Sequence, residues 1–470
     1  MASKFTRRNL YGRQQIFTDV EEITPENVIE VLNRTMPTHT KNRGEIEYLY
    51  NYYKGKQPID GRIKKIRPEI CNVIVENWAN EIVSFKVGYL CSSPIQYISG
   101  TKGDDISQKV DELNNLMEND GKPAKDKELF EWQFICGTSY RMAFPDTEQV
   151  VESFVPDPRE ACVIYKNDIG KKPIAGVYIT TSPMKPKRII TYTVYTKELI
   201  ITVKDNAVVS VENNLMKEIP IIEYPANNAR LGAFEIVLDL LNAINDLDSN
   251  RLDGVEQFIQ SLMIIYNATL GDEDANSIRE KGLIELKSVG EAKADVKILN
   301  EQLNQDQTQT LKEDLMRRVR EIVGLPSQGS GDTGDSSNNG AQLLKGGWEN
   351  AETRAKDSET MFKKSERVYL KLLLNILREK DVLNLQPIDI DIRFTRRNYE
   401  NIQVKSQVLT TMLANDKIHP KLAFESCGMF IDPEQAYRES KEYYESVRRT
   451  EQPTVRVVGN TTNNGQGENM

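Results

Sequence analysis

Histidine is almost missing from this sequence: among 470 residues only His39 and His419 occur, in unrelated segments. One is expected in a polar loop and the other at a helix end before Pro420, so neither offers the imidazole cluster of a metal centre or an oriented general base. The five cysteines (Cys71, Cys91, Cys136, Cys162, Cys427) are odd in number and form no C-x-x-C pair. That excludes a disulfide framework and leaves reduced thiols that mostly fill the core. No apolar run approaches the ~18 residues of a membrane span; Ser261-Leu-Met-Ile-Ile-Tyr266 is among the longest. The first eight residues lack the apolar centre of a signal peptide, so the chain is expected to fold in the cytoplasm without a membrane. Positive charge is in deficit, with 61 Lys and Arg against 70 Asp and Glu and a net charge of −9. Such a protein does not grip nucleic acid over a broad basic face, although a local patch is compatible with it.

What is present describes a folded chain, 39% hydrophobic and 28% charged. At ~150 residues per domain its length corresponds to about three folding units. The first 130 or so residues read mostly helical. Thr24-Pro25 starts a helix that is expected to end near Asn33, before Pro37. A second helix over 42–54 carries Ile46, Leu49, Tyr50 and Tyr53 and ends at Gly55. Its tyrosine cluster, Tyr48 to Tyr53, reads as a buried face before it reads as a base-stacking platform. A third helix is expected over 68–86, with Ile70, Val73, Ile74, Trp78, Ile82 and Phe85 on one side. The basic run from Arg62 to Arg67 before it reads as a solvated face. Short segments at 140–144, 161–165, 174–180, 189–195, 199–203 and 207–211 are rich in β-branched and aromatic residues and separated by turn signals. They form an antiparallel meander rather than a βαβ repeat, so a doubly wound nucleotide fold is not indicated.

From 229 to about 266 there is no proline, and apolar residues recur at steps of three to five. The spacing predicts one helix of roughly 57 Å at 1.5 Å per residue. Its sides call for burial by something outside the chain. The other face carries Asp239, Asp246 and Asp253 at seven-residue spacing, and the segment has six acidic and two basic residues. A solvated face and a functional acidic wall are both open readings of that stripe. A small mixed unit spans 267–303, and a returning helix over 305–323 ends at Gly324-Leu-Pro326. Residues 326–340 hold no apolar anchor beyond Pro326 and read as a flexible loop. They lack the Gly-Lys-Ser or Gly-Lys-Thr ending of a phosphate-binding loop, and no strand leads in. A second long helix is expected over 341–380, bent at Gly346-Gly347. The alternation from Ile388 to Phe394 is a strand whose acidic side holds Asp389 and Asp391, with no third ligand for a metal. Residues 399–448 read helical, and the polar tail after Thr450 reads as disordered.

This order of parts closely resembles the portal proteins of long-tailed bacteriophages. Local text agrees: the stretch from Asn80 to Tyr97 is similar to the family's helix-to-strand passage, and Cys136-Gly-Thr-Ser-Tyr140 to its Gly-x-x-Tyr strand entry. Asn245 to Phe258 resembles the stem helix, and Glu321-Ile-Val-Gly-Leu-Pro326 the segment before the tunnel loop. The match spans roughly residues 25–448, and it rests on the order of parts more than on any single motif.

The resemblance implies an α+β portal fold, a dodecameric ring at one capsid vertex, and double-stranded DNA passing through its channel. It divides the chain into a wing region (1–228), stem helix (229–266), clip (267–303), returning stem helix (304–325), channel loop (326–340), long wing helix and strand (341–398), crown (399–448) and tail (449–470). Channel-lining residues would be Asp239, Asp246, Asp253, Ser336, Asn338, Asn339 and Lys345; the loop itself holds no lysine, unlike some portals. Leu241, Leu252 and Phe258 would lie between subunits. Asp272, Glu273, Asp274, Arg279, Lys281 and Lys287 would form the docking surface of the clip. Partners would be other copies of the chain, the large terminase subunit, head-completion adaptors, and the major capsid and scaffolding proteins. No catalytic residue, metal or cofactor is implied, since the family leaves ATP hydrolysis to the terminase, and the protein would reside in the virion. Two other readings stay open on the residues: an enzyme with a carboxylate site, and an autonomous nucleic-acid-binding protein using Arg62–Arg67 and Arg393-Phe-Thr-Arg-Arg397.

Overall fold

The structure, a computed structural model, describes residues 10, 12–65, 67–100, 104–182, 189–259, 262–266, 295–299, 305–326, 347–396, 402–430 and 433–451. The fold is α+β, in two compact units, the first holding the described residues up to 396 and the second those from 402.

The first unit is built on helix α1 (Val28–Tyr53), α2 (Trp78–Leu90), α3 (Asp104–Asn119) and α4 (Lys122–Cys136), followed by a run of strands. Two expected N-terminal helices are therefore one, with Pro37 inside it. The carbonyl that Pro37 leaves without an amide partner belongs to Asn33, which is exposed, so water can serve it. His39 is buried in this helix rather than in a loop, its Nε2 lies 3.2 Å from the Arg159 carbonyl, and burial lowers its pKa. The expected helix over 68–86 exists only from Trp78; residues 71–77 form neither helix nor strand.

The strands fall where alternation placed them, but in two sheets. Six strands run in the order β1-β5-β6-β7-β8-β9: β1 (Ile16–Thr18), β5 (Ala161–Lys166), β6 (Pro173–Thr181), β7 (Ile190–Tyr195), β8 (Leu199–Lys204) and β9 (Ala207–Asn213). All neighbours are antiparallel except β1 and β5. A second sheet has the order β10-β3-β4, from β10 (Ile221–Pro225), β3 (Thr138–Pro145) and β4 (Val151–Phe154). Gly137 joins α4 to β3 at φ +82, and a Cβ there would collide with the Arg230 carbonyl oxygen. Strand β2 (Gln96–Ser99) pairs with β13 (Ile390–Arg393), so the strand expected from 388 is shorter, preceded by a 3-10 turn over Pro387–Asp389.

The remaining helices are α5 (Leu238–Ile259), α6 (Gln305–Val323) and α7 (Trp348–Glu379). Helix α5 is shorter than the expected 229–266, about 33 Å at 1.5 Å per residue. Upstream, the Ala233 amide donates to the Phe134 carbonyl at 2.7 Å and the Gly232 amide to Glu235 at 2.8 Å, which holds that segment against α4. Downstream, β11 (Leu262–Tyr266) pairs with β12 (Asp295–Leu299). Helix α6 stands where it was expected and ends at Gly324, φ +74. The described part of the second long helix, α7, begins after Gly347, whose φ is +75; residues 341–346 of the expected helix lie outside the described residues.

The core of the unit gathers one face of α7, including Phe362, Leu370, Leu373 and Leu377, against α2, α4, β2 and β10. Within it sits Glu366, fully buried and bound by the guanidinium of Arg141 at 3.1 Å and the hydroxyls of Tyr97 and Tyr224 at 2.6 Å each. Burial opposes the charge of Glu366, but Arg141 and Lys122 prevail and hold its carboxyl down at about 2.

The second unit contains α8 (Ile402–Leu413), α9 (Pro420–Cys427) and α10 (Pro433–Glu451). His419 caps α9, its Nδ1 accepting from the Lys421 amide at 3.2 Å. Ala423, Phe424 and Cys427 form its small core.

Candidate functional site

Helices α5 and α6 pack along each other, and the expected site residues that the structure describes lie on α5. Along one flank of α5, three polar side chains one turn apart face the strap of residues 71–77. Asn245 Oδ1 accepts from the Glu76 amide at 2.8 Å, Ser249 Oγ from the Ile74 amide at 3.0 Å, and Asp253 Oδ1 from the Asn72 amide at 2.7 Å. Alternate residues of the strap thus meet successive turns of a helix, and its amides are paired without a neighbouring strand. The same flank takes a bond from the Tyr52 hydroxyl to Asn242, 3.0 Å.

Asp253 also receives Lys64 at 2.7 Å and Arg62 at 2.9 Å. Burial would raise its pKa, but hydrogen bonds from Lys64 and Asn72 and the charge of Arg62 hold it below the usual value. Helix α6 joins α5 through Lys312, which is 2.9 Å from Asp248 and also bonds Glu76, and through Arg251 on Gln309 at 2.8 Å. Burial pushes the Asp248 carboxyl up; at Glu76 burial is outweighed by Lys312 and the Trp78 indole, and the pKa falls.

Opposite the core, α5 keeps an exposed stripe of Asp239, Ala243, Asp246 and Asn250, spaced four, three and four and continuing from Ile236 in the preceding turn; Leu252 and Val255 are exposed further along. The stripe holds two carboxylates and no cation. Beside α6 lies an open groove of about 590 Å³ lined by Trp78, Phe85 and Trp348 and by Met316 and Arg320. The Arg320 guanidinium sits 5.3 Å from the Trp78 ring centre.

The expected site residues thus separate. Asp239 and Asp246 are together and exposed. Asp253 is not with them: it is 2% exposed and spent on anchoring Arg62, Lys64 and the strap, so its place in an acidic wall is withdrawn. Leu241 is 1% exposed inside its own chain, which corrects its expected position between subunits. Leu252 is 38% exposed and remains available. The side chain of Phe258, and Ser336, Asn338, Asn339, Lys345, Asp272, Glu273, Asp274, Arg279, Lys281 and Lys287, lie outside the described residues. The basic runs invoked for nucleic acid are largely committed internally: Arg62 and Lys64 to Asp253, and Arg396 to Glu352 at 2.8 Å and Glu359 at 3.0 Å. Among the described residues no group of His, Cys, Asp and Glu is arranged to hold a metal.

Sequence reasoning missed the groove and the strap. The signal for the strap was present, since Asn245, Ser249 and Asp253 repeat at a helical turn. Nothing local linked them to residues 72–76. The groove's aromatic floor comes from helices some 270 positions apart, Trp78 and Trp348, and has no signature in either segment.

A family model described as "Phage portal protein, SPP1 Gp6-like" matches residues 33–452. Among solved structures, a chain of "Virion of native gene transfer agent (GTA) particle" is similar over 83% of this chain and 94% of that one, with 12% identity and a TM-score of 0.45. No curated protein matches the sequence.

Proposed function

The chain belongs to the SPP1 Gp6-like family of phage portal proteins, and from that premise we propose that it forms a homo-oligomeric ring, a dodecamer, at one vertex of a capsid. The observation that carries the reading is the family match over residues 33–452. In this reading the ring is the passage for double-stranded DNA during packaging and ejection, and the protein ends in the virion. It is a structural component, and the chemistry of packaging belongs to a docked terminase. Residues 267–303 would present the docking surface for that motor and later for head-completion proteins, while capsid and scaffolding proteins surround the ring.

The exposed stripe of α5 supports a channel role. Asp239 and Asp246 would be repeated once per subunit, so their fields add around a pore. A negative wall repels phosphate and leaves passing DNA no deep well, within the ~8–10 Å over which charge acts at physiological salt. Leu252 is an exposed apolar residue of the same helix that a neighbouring copy would bury.

Native mass measurement of the full-length protein tests the assembly: a particle of several hundred kilodaltons is expected, and a monomer or dimer would overturn the ring. The channel face is tested by Asp239→Lys with Asp246→Lys in assembling heads. Rings should form, but less DNA should be protected from nuclease; normal filling would mean that these carboxylates face away from DNA.

A further inference from the structure

Resting on the ring reading above, we propose that neighbouring copies join head to tail through helix α6, which carries a groove on one flank and a matching ridge on the other. The groove is the cavity floored by Trp78, Phe85 and Trp348, with Met316 and Arg320 of α6 as its wall and Glu81 among the residues lining it. The ridge is Leu311, Arg318 and Ile322. Leu311 is 50% exposed and Ile322 40%, a large apolar exposure for a helix packed into the body on another side. At about 100° per residue the three ridge residues fall within roughly 40° of one another, and Arg320 lies close to half a turn from each. Groove and ridge therefore occupy opposite sides of one helix. A contact between two different patches of the same chain is heterologous, and it closes into a ring when its rotation divides a full turn.

The chemistry of the two flanks is complementary. The ridge offers two aliphatic side chains on either side of a guanidinium. The groove offers flat aromatic faces and the exposed carboxylate of Glu81. Aromatic faces attract guanidinium groups, most strongly when water is removed. The groove already makes this pairing within the chain, with Arg320 on Trp78. Among the described residues Arg318 is held by Asp314 alone, 2.9 Å away, with its own side chain 62% exposed. An exposed pair of this kind contributes little and is readily exchanged for a better partner. The occupant of the groove is thus the α6 ridge of the next copy, with Arg318 directed at Glu81 and Leu311 and Ile322 covering the aromatic floor.

The test uses the full-length protein. Arg318→Glu alone and Glu81→Arg alone should each lower the ring fraction at fixed concentration by about tenfold, and the double exchange should restore most of it. Independently, in a Cys71→Ser background, which removes the one native cysteine that is not buried, Glu81→Cys with Arg318→Cys in one chain should give, on oxidation, a ladder of covalent multimers that ends in closed rings, while each single variant stays uncrosslinked. Rings that form normally with both charge variants and yield no ladder would overturn the proposal and leave the portal reading standing. Covalent dimers from a single-cysteine variant would overturn it too, because they require a two-fold contact. If the unmodified protein forms no ring at all, it is the portal reading that fails.

Discussion

Glu366 and Asp253 each bind two cations, and they do different things. Glu366 lies in the centre of the body, where Arg141 and Lys122 reach it from β3 and α4 and every partner is at most 6% exposed. Asp253 lies at the far end of α5, where its own carboxylate is shielded but Arg62 and Lys64 remain 13% and 24% exposed. The first network is dry and joins elements distant in the chain, so its loss leaves an uncompensated buried charge. The second is a clip at an edge, where water can replace what is lost. The same ionic chemistry holds the fold in one place and only positions a strap in the other.

That contrast is broken most severely by Glu366→Ala. It leaves the buried cations Arg141 and Lys122 sharing the carboxylate of Asp126, with one charge uncompensated, and chemical denaturation should show a loss of about 3–5 kcal/mol, with much of the protein insoluble. A stability within 1 kcal/mol of wild type, by the same measurement, would mean that the network is not what orders the body. Next in size is the pair Leu241→Asp and Leu252→Asp. The first buries a carboxylate among the apolar side chains of the body and should abolish folding, as circular dichroism would show. The second should leave a folded chain that fails to assemble. If both fold equally well, the boundary between body and exposed helix is misplaced.

Asp253→Asn sharpens the other side of the comparison. It keeps the shape but removes the charge that Arg62 and Lys64 bind, so the strap should loosen by about 1–3 kcal/mol while the denaturation midpoint moves little. Hydrogen exchange at the amides of Asn72, Ile74 and Glu76 should accelerate, with amides of α7 unchanged. The smallest effect is the dependence on pH. Both carboxylates titrate lower in the folded chain than their ordinary values of 4.5 for Glu366 and 3.8 for Asp253. A depressed carboxylate contributes its stability in full above the unfolded value and loses it as pH falls through the folded one. Stability should therefore stay level from neutral pH to about 5 and decline below it, and Glu366→Gln should flatten that decline more than Asp253→Asn.

How much of this was legible depended on whether local chemistry decided the outcome. The strands at 161–166 and 190–204 were readable because alternation and turns are local. So was α6, a charged helix closed by Gly324. Residues 70–77 were not, because the spacing of Ile70, Val73 and Ile74 suits a helix, yet their amides are taken by side chains of α5. Pro37 suggested a helix end, but its orphaned carbonyl faces solvent and the helix continues. In the candidate site, the exposed pair Asp239 and Asp246 could be read from the seven-residue spacing. The loss of Asp253 could not, because the same spacing says nothing about a basic run almost two hundred positions earlier that folds onto it.

The strap on α5 works as a vernier. Four residues of helix advance about 6.0 Å, whereas two residues of extended chain advance about 6.6–6.8 Å. Each rung therefore falls out of step by roughly 0.7 Å. Three rungs, at Asn245, Ser249 and Asp253, accumulate about 1.4 Å, which hydrogen bonds of 2.7–3.0 Å still tolerate. Further rungs would stretch them toward failure. The graduation thus limits how far a chain can be ruled along this helix, and the ionic clip of Asp253 stands at the last mark.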